Sequence, residues 1–226
     1  MTKNFARVPA VLVALVAALG AGGTAVADEQ ATPVNAVAEI DPQAFFGRLI
    51  ERYRRLETYR DTVDVVYVTA AAGREPRRVV SRISCRIADG RLRVQTAGSQ
   101  VRDSIGLEVP IKRSPAMEAL VLRYNLWLAP HMTLRFTEDP RKEFRLGVDE
   151  GFTPDSARRV TVGGKQMIHL HLRSADGTSE QVTAAFDLIV DPDTMLIERI
   201  DGEQRLPDGT NYRTSLRITP LEATDR

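Results

Sequence analysis

Residues 45–68 read FFGRLIERYRRLETYRDTVDVVYV, and a change of period inside this stretch decides the fold. Phe45, Phe46, Leu49, Ile50, Tyr53 and Leu56 recur at the spacing of one helix face, with Glu51 placed to pair with Arg55 one turn on. After Tyr59 the apolar positions fall on alternate residues, Val63, Val65 and Tyr67 against Thr62, Asp64 and Val66, which is strand spacing. An amphipathic helix therefore leads into a strand. Its start is also legible: Asp41 can cap it, Pro42 suits the first helical position, and Ile40 and Phe45 have the spacing of a hydrophobic staple.

Working outward, strand periodicity dominates. A turn at 72–76 leads to a second strand with Val79, Ile83, Cys85 and Ile87 on one face and Arg78, Arg82 and Arg86 on the other. Asp89-Gly90 is a hairpin signal, followed by Leu92, Val94 and Thr96 alternating with Arg91 and Arg93. Gly163-Gly164 joins two further strands, and three more follow: 182–190, then 196–204 after the turn 191–194, and 211–219 after the turn 207–210. Between the two groups lies a second expected helix, Pro115 to about Leu128, apolar nearly all round, which cannot lie on an open surface. The expected fold class is α+β: a large curved antiparallel sheet of about 8–11 strands, an incomplete barrel covered by two helices.

The N-terminus has the three parts of a secretory signal: basic Lys3 and Arg7, an apolar run from Val8 to Leu19, and the small-residue site Ala25-Val26-Ala27. Residues 1–27 are expected to be cleaved after Ala27, leaving a periplasmic or secreted chain. The alternative is an uncleaved anchor, since no charge interrupts Val8 to Ala27, but Gly20, Gly22 and Gly23 weaken a helix there. The only cysteine, Cys85, is too far on to serve as a lipid-attachment site. Residues 28–39 read as a flexible leader, 40–221 as one domain and 222–226 as a tail.

Two of the 31 basic residues and none of the 30 acidic ones lie in the signal, so the mature chain carries a formal charge of −1 and is not built to bind nucleic acid. A lone cysteine makes no internal disulfide, and the alternating pattern around Cys85 predicts a packed thiol. His169 and His171 share a strand face and could seat a metal, but that face carries Arg173, and the sequence sets no third ligand beside them. No nucleophile or phosphate-loop motif is present, so the sequence predicts no catalytic residue, cofactor or metal. A hydrolase reading would require His131, His169 or His171 to converge with a carboxylate or nucleophile.

The order of elements resembles the LolA-like superfamily of periplasmic lipoprotein carriers. It is carried by the helix running into LETYRDTVDVVYV, the meander with IADGRLRV, the apolar helix, and the closing series FDLIVDPDTMLIERID and NYRTSLRIT, over about Phe45 to Leu221. The Pro130 to Arg158 segment and the Arg-rich meander depart from that pattern. The resemblance implies an incomplete barrel whose apolar interior accepts a lipid or lipoprotein acyl chain, with no enzymatic activity and no stable membrane insertion once the signal is removed. On that reading Val63, Val65, Tyr67, Ile83, Leu92, Val94, Phe186, Leu188, Leu216 and Ile218 line the cavity, and Leu120, Tyr124 and Trp127 form a lid. The alternative is an envelope module with a filled core that meets a protein partner.

Overall fold

The computed structural model describes residues 32–33, 40–71, 73–98, 105–110, 130–136, 152–174 and 183–225. Helix α1 spans Pro42–Arg55, and its N-cap Asp41 accepts hydrogen bonds from the backbone N–H groups of Gln43 and Ala44. The side chain thus satisfies two donors that the first turn leaves open. Strand β2 (Leu56–Ala70) begins at the residue after the helix ends, so the change of period read in the sequence is a junction without a loop. Leu56, expected on the helix face, is the first residue of the strand and is buried there.

Strands β3 (Arg77–Ala88), β4 (Arg91–Gly98) and β5 (Ile105–Pro110) complete a first antiparallel meander. The β3–β4 turn is Asp89-Gly90, both at positive φ (52° and 68°), the left-handed pair that a two-residue hairpin requires. A short helix α2 (Pro130–Phe136) follows among the described residues. The second meander comprises β6 (Phe152–Val162), β7 (Lys165–Ser174), β8 (Thr183–Asp191), β9 (Leu196–Arg205) and β10 (Asn211–Asp225).

The ten strands among the described residues form one open antiparallel sheet in the order β1-β6-β7-β8-β9-β10-β2-β3-β4-β5, where β1 is the two-residue strand Thr32–Pro33. Two boundaries differ from expectation. Thr32 and Pro33, read as part of the leader, pair with β6, and β10 runs on past Leu221 so that Glu222 to Asp225 pair with β2 between Arg60 and Leu56. The expected tail is therefore the end of the longest ladder, and Asp225 forms an ion pair with Arg52 of α1. Both errors have one cause: pairing satisfies backbone groups whatever the side chains, so polar ends lacking alternation still extend a strand.

One face of the sheet carries the core. A single cluster of buried residues includes Leu92 and Val94 near one edge, Phe152 and Leu172 near the other, and Phe46, Leu49 and Tyr53 of α1. A flat ten-strand sheet would be about 43 Å wide, and a helix with its side chains covers about 10 Å.

Candidate functional site

Nine of the ten residues expected on the concave face are buried there: Val63, Val65, Ile83, Leu92, Val94, Phe186, Leu188, Leu216 and Ile218. The tenth, Tyr67, is half-buried and stacks on Tyr212, with ring centroids 5.8 Å apart. Burial pushes the Tyr67 hydroxyl pKa up. Val79 stands opposite Tyr67 in the ladder and is 37% exposed, so the apolar face runs to an open rim. The expected lid residues Leu120, Tyr124 and Trp127 lie outside the described residues.

The apolar face is interrupted by one polar cluster. Asp61, fully buried on β2, accepts three hydrogen bonds: from the Tyr59 hydroxyl to Oδ2 at 2.8 Å, from the Cys85 backbone N–H to Oδ1 at 3.1 Å, and from His131 Nε2 to Oδ2 at 2.7 Å. Tyr53 of α1 extends the network by accepting the Ile197 N–H at 3.1 Å. Tyr53, Tyr59 and His131 pack as an aromatic triangle with centroids 6.2–6.3 Å apart. Burial, with a smaller contribution from Asp61, pushes the hydroxyls of Tyr53 and Tyr59 far up, so both stay protonated. The same two causes raise the Cys85 thiol well above its usual value, which makes it a packed thiol as expected. His131 Nδ1 is buried without a hydrogen-bond partner.

On the opposite face, Asp187 of β8 receives both histidines of β7. His169 Nε2 lies 2.6 Å and His171 Nδ1 2.9 Å from the same oxygen, Oδ1. Arg158 Nε donates to His169 Nδ1 at 3.2 Å, which leaves the Nε2 proton to donate to Asp187. Burial alone would raise the Asp187 carboxyl, but the hydrogen bonds from the two imidazoles outweigh it and hold the pKa below the usual range. This face is not bare solvent, since Val160, Met167 and Ile189 form a small buried cluster beside the histidines.

The structure thus brings each histidine to a carboxylate, Asp61 or Asp187, that the sequence reading missed. It does not bring the three histidines together. One signal for Asp61 was available: it shares the inward parity of Tyr59, Val63 and Val65, where a carboxylate needs buried partners. Asp187 became a partner only through register, which sets it opposite His171. Ser156 stands opposite His171 on the other side, completing a serine, histidine and aspartate row across three strands. No Ser156–His171 hydrogen bond is present among the described residues.

No family model matches the chain, and no curated protein matches it. Among solved structures it is similar to MucB in the Pseudomonas aeruginosa MucA/MucB complex, at TM-score 0.41 and 14% identity over 83% of this chain and 59% of that one. The chain spans less than two thirds of the MucB chains it matches, 58% and 59% of their length. It is also similar to an outer membrane lipoprotein-sorting protein domain from Vibrio parahaemolyticus (TM-score 0.30, 9% identity, 80% of this chain and 92% of that one). The LolA superfamily protein NE2245 from Nitrosomonas europaea matches at TM-score 0.21 and 8% identity, over 83% of this chain and 94% of that one. No described helix is long and apolar enough to cross a membrane.

Proposed function

We propose that the chain is exported by its first 27 residues, cleaved after Ala27, and acts in the periplasm as a non-enzymatic protein that holds the acyl chain of a lipid or lipoprotein against the inner face of its sheet. The observation that carries this reading is the grading of that face. Apart from the Asp61 cluster it is apolar and sealed from Leu92 to Phe186, and from Val65 it runs without a charged residue to a half-open rim at Tyr67, Tyr212 and Val79. An apolar surface that reaches solvent at one end can take up and release a chain without chemistry, because the attraction is non-directional. Leu120, Tyr124 and Trp127 serve as the lid.

Lipid extraction from protein purified out of the exported fraction tests the proposal directly. Mass spectrometry should find an acyl lipid co-purifying, and emission from Trp127, the sole tryptophan, should shift when lipid is added to delipidated protein. Tyr67→Arg at the rim should weaken uptake at least severalfold while leaving the circular dichroism unchanged. A lipid-free protein whose Trp127 emission ignores added lipid would overturn the reading.

A second reading, contact with an acidic protein of the envelope, is favoured by the outer face. Arg60, Arg86 and Arg93 stand directly opposite one another across β2, β3 and β4, and Glu222 and Glu108 take the register positions at the two ends of that row, so it carries three cations against two carboxylates. Pull-down of an acidic partner lost in Arg60→Ala/Arg86→Ala and at high salt, with no lipid bound, would favour this reading over the first.

A further inference from the structure

Asp61, Cys85 and His131 come from three separate elements, β2, β3 and α2, and each is 0% exposed. A carboxylate oxygen, Sγ and an imidazole nitrogen of these residues lie within 4.8 Å of one another. We propose that this cluster is a binding site for a single transition-metal ion of the zinc class, which fastens α2 to the inner face of the sheet.

The donor set selects the class of ion. One sulfur, one nitrogen and one oxygen suit a borderline-soft divalent cation, whereas calcium and magnesium take oxygen alone. Charge supports the same choice, since Asp61 and a Cys85 thiolate together neutralise a divalent ion in an interior where net charge is costly. Geometry requires small movements. A tetrahedral ion about 2.0 Å from nitrogen and oxygen and about 2.3 Å from sulfur sets its donors roughly 3.3–3.6 Å apart. The Nε2 to Oδ2 pair at 2.7 Å would open by about half an ångström. The sulfur would close by about 1.5 Å at most from its outer limit of 4.8 Å. The ion takes the place of the proton between Nε2 and Oδ2, that proton passing to Nδ1 so that the imidazole stays neutral, and the Cys85 thiol loses its proton to solvent as the ion binds. No hydrogen bond on Nδ1 holds the ring from the other side, so this shift breaks no second contact of His131.

Supporting contacts are already built. The Cys85 N–H on Oδ1 and the Tyr59 hydroxyl on Oδ2, at 2.8 Å, orient the Asp61 carboxylate. Because all three donors are sealed, the ion enters as α2 docks, and its binding energy becomes folding energy.

The test uses the tag-free mature chain, refolded with one equivalent of Zn2+ or Co2+ or with chelator, then desalted. One ion per chain, a thiolate-to-Co2+ absorption band and a thermal midpoint several degrees above the chelator-treated protein are expected. Cys85→Ala should abolish all three, while His169→Ala/His171→Ala, which empties the outer face of imidazole, should retain them. Should Cys85→Ala fail to fold, the Co2+ spectrum of the unaltered chain decides alone. Absence of a retained ion, or of the thiolate band, overturns the proposal, as does binding that survives Cys85→Ala or vanishes in the surface double variant.

Discussion

The molecule holds two imidazole–carboxylate clusters of similar chemistry on opposite faces of one sheet. Inside, Asp61 is fully buried and accepts from Tyr59, Cys85 and His131, which gather β2, β3 and α2 around a single carboxylate. Outside, Asp187 accepts from His169 and His171, its side chain is 44% exposed, and both partners come from the adjacent strand. Coulomb attraction and desolvation both grow as water is removed. The inner carboxylate is therefore costly to leave alone, and the outer one can fall back on solvent. Similar side chains thus act as an anchor in one place and as a mild adjustment in the other.

The sharpest way to break the comparison is Asp61→Ala. It strips the acceptor from Tyr59 and His131 and from the Cys85 N–H in one step, leaving buried donors unpaired. Equilibrium urea unfolding should show a loss of about 3–5 kcal/mol, since three buried donors are left unpaired at about 1–3 kcal/mol each and part of that is returned by no longer burying the carboxylate. Tyr59→Phe takes one donor and leaves Asp61 two, so its expected cost is about 1–2 kcal/mol by the same measurement. If Asp61→Ala cost no more than Tyr59→Phe, the carboxylate would not be the centre of the inner cluster.

The same contrast explains what was legible in the sequence. Periodicity exposes a residue's face, so α1, most strands and the Asp89-Gly90 and Gly163-Gly164 hairpins could be read from local pattern and turn chemistry. The inward direction of Cys85 could be read too. Periodicity does not expose a partner. His131 lies in a seven-residue helix too short to show a period, and its meeting with Asp61 joins positions 70 residues apart in the chain. Asp187 met His169 and His171 only because a turn and two registers placed β8 beside β7. The carboxylate on the apolar parity of β2 was the one local sign that something polar had to meet it. Strand ends were misread at Thr32–Pro33 and beyond Leu221 because backbone pairing needs no side-chain pattern.

The smallest effects belong to the outer cluster. Asp187→Ala should cost about 1 kcal/mol or less, the usual worth of a partly exposed ion pair. Its pH dependence carries a definite sign. The folded carboxyl titrates below its unfolded value of about 3.9, so its contribution is present above that pH and is lost as pH falls through the folded value. Urea midpoints of the unaltered chain and of Asp187→Asn, measured at pH steps from about 6 down to 2.5, should therefore converge at the acid end. A gap that stayed constant would mean Asp187 acts through packing alone. A gap as large as that of Asp61→Ala would mean the outer face is as dry as the core, and the contrast between the two clusters would not be one of burial.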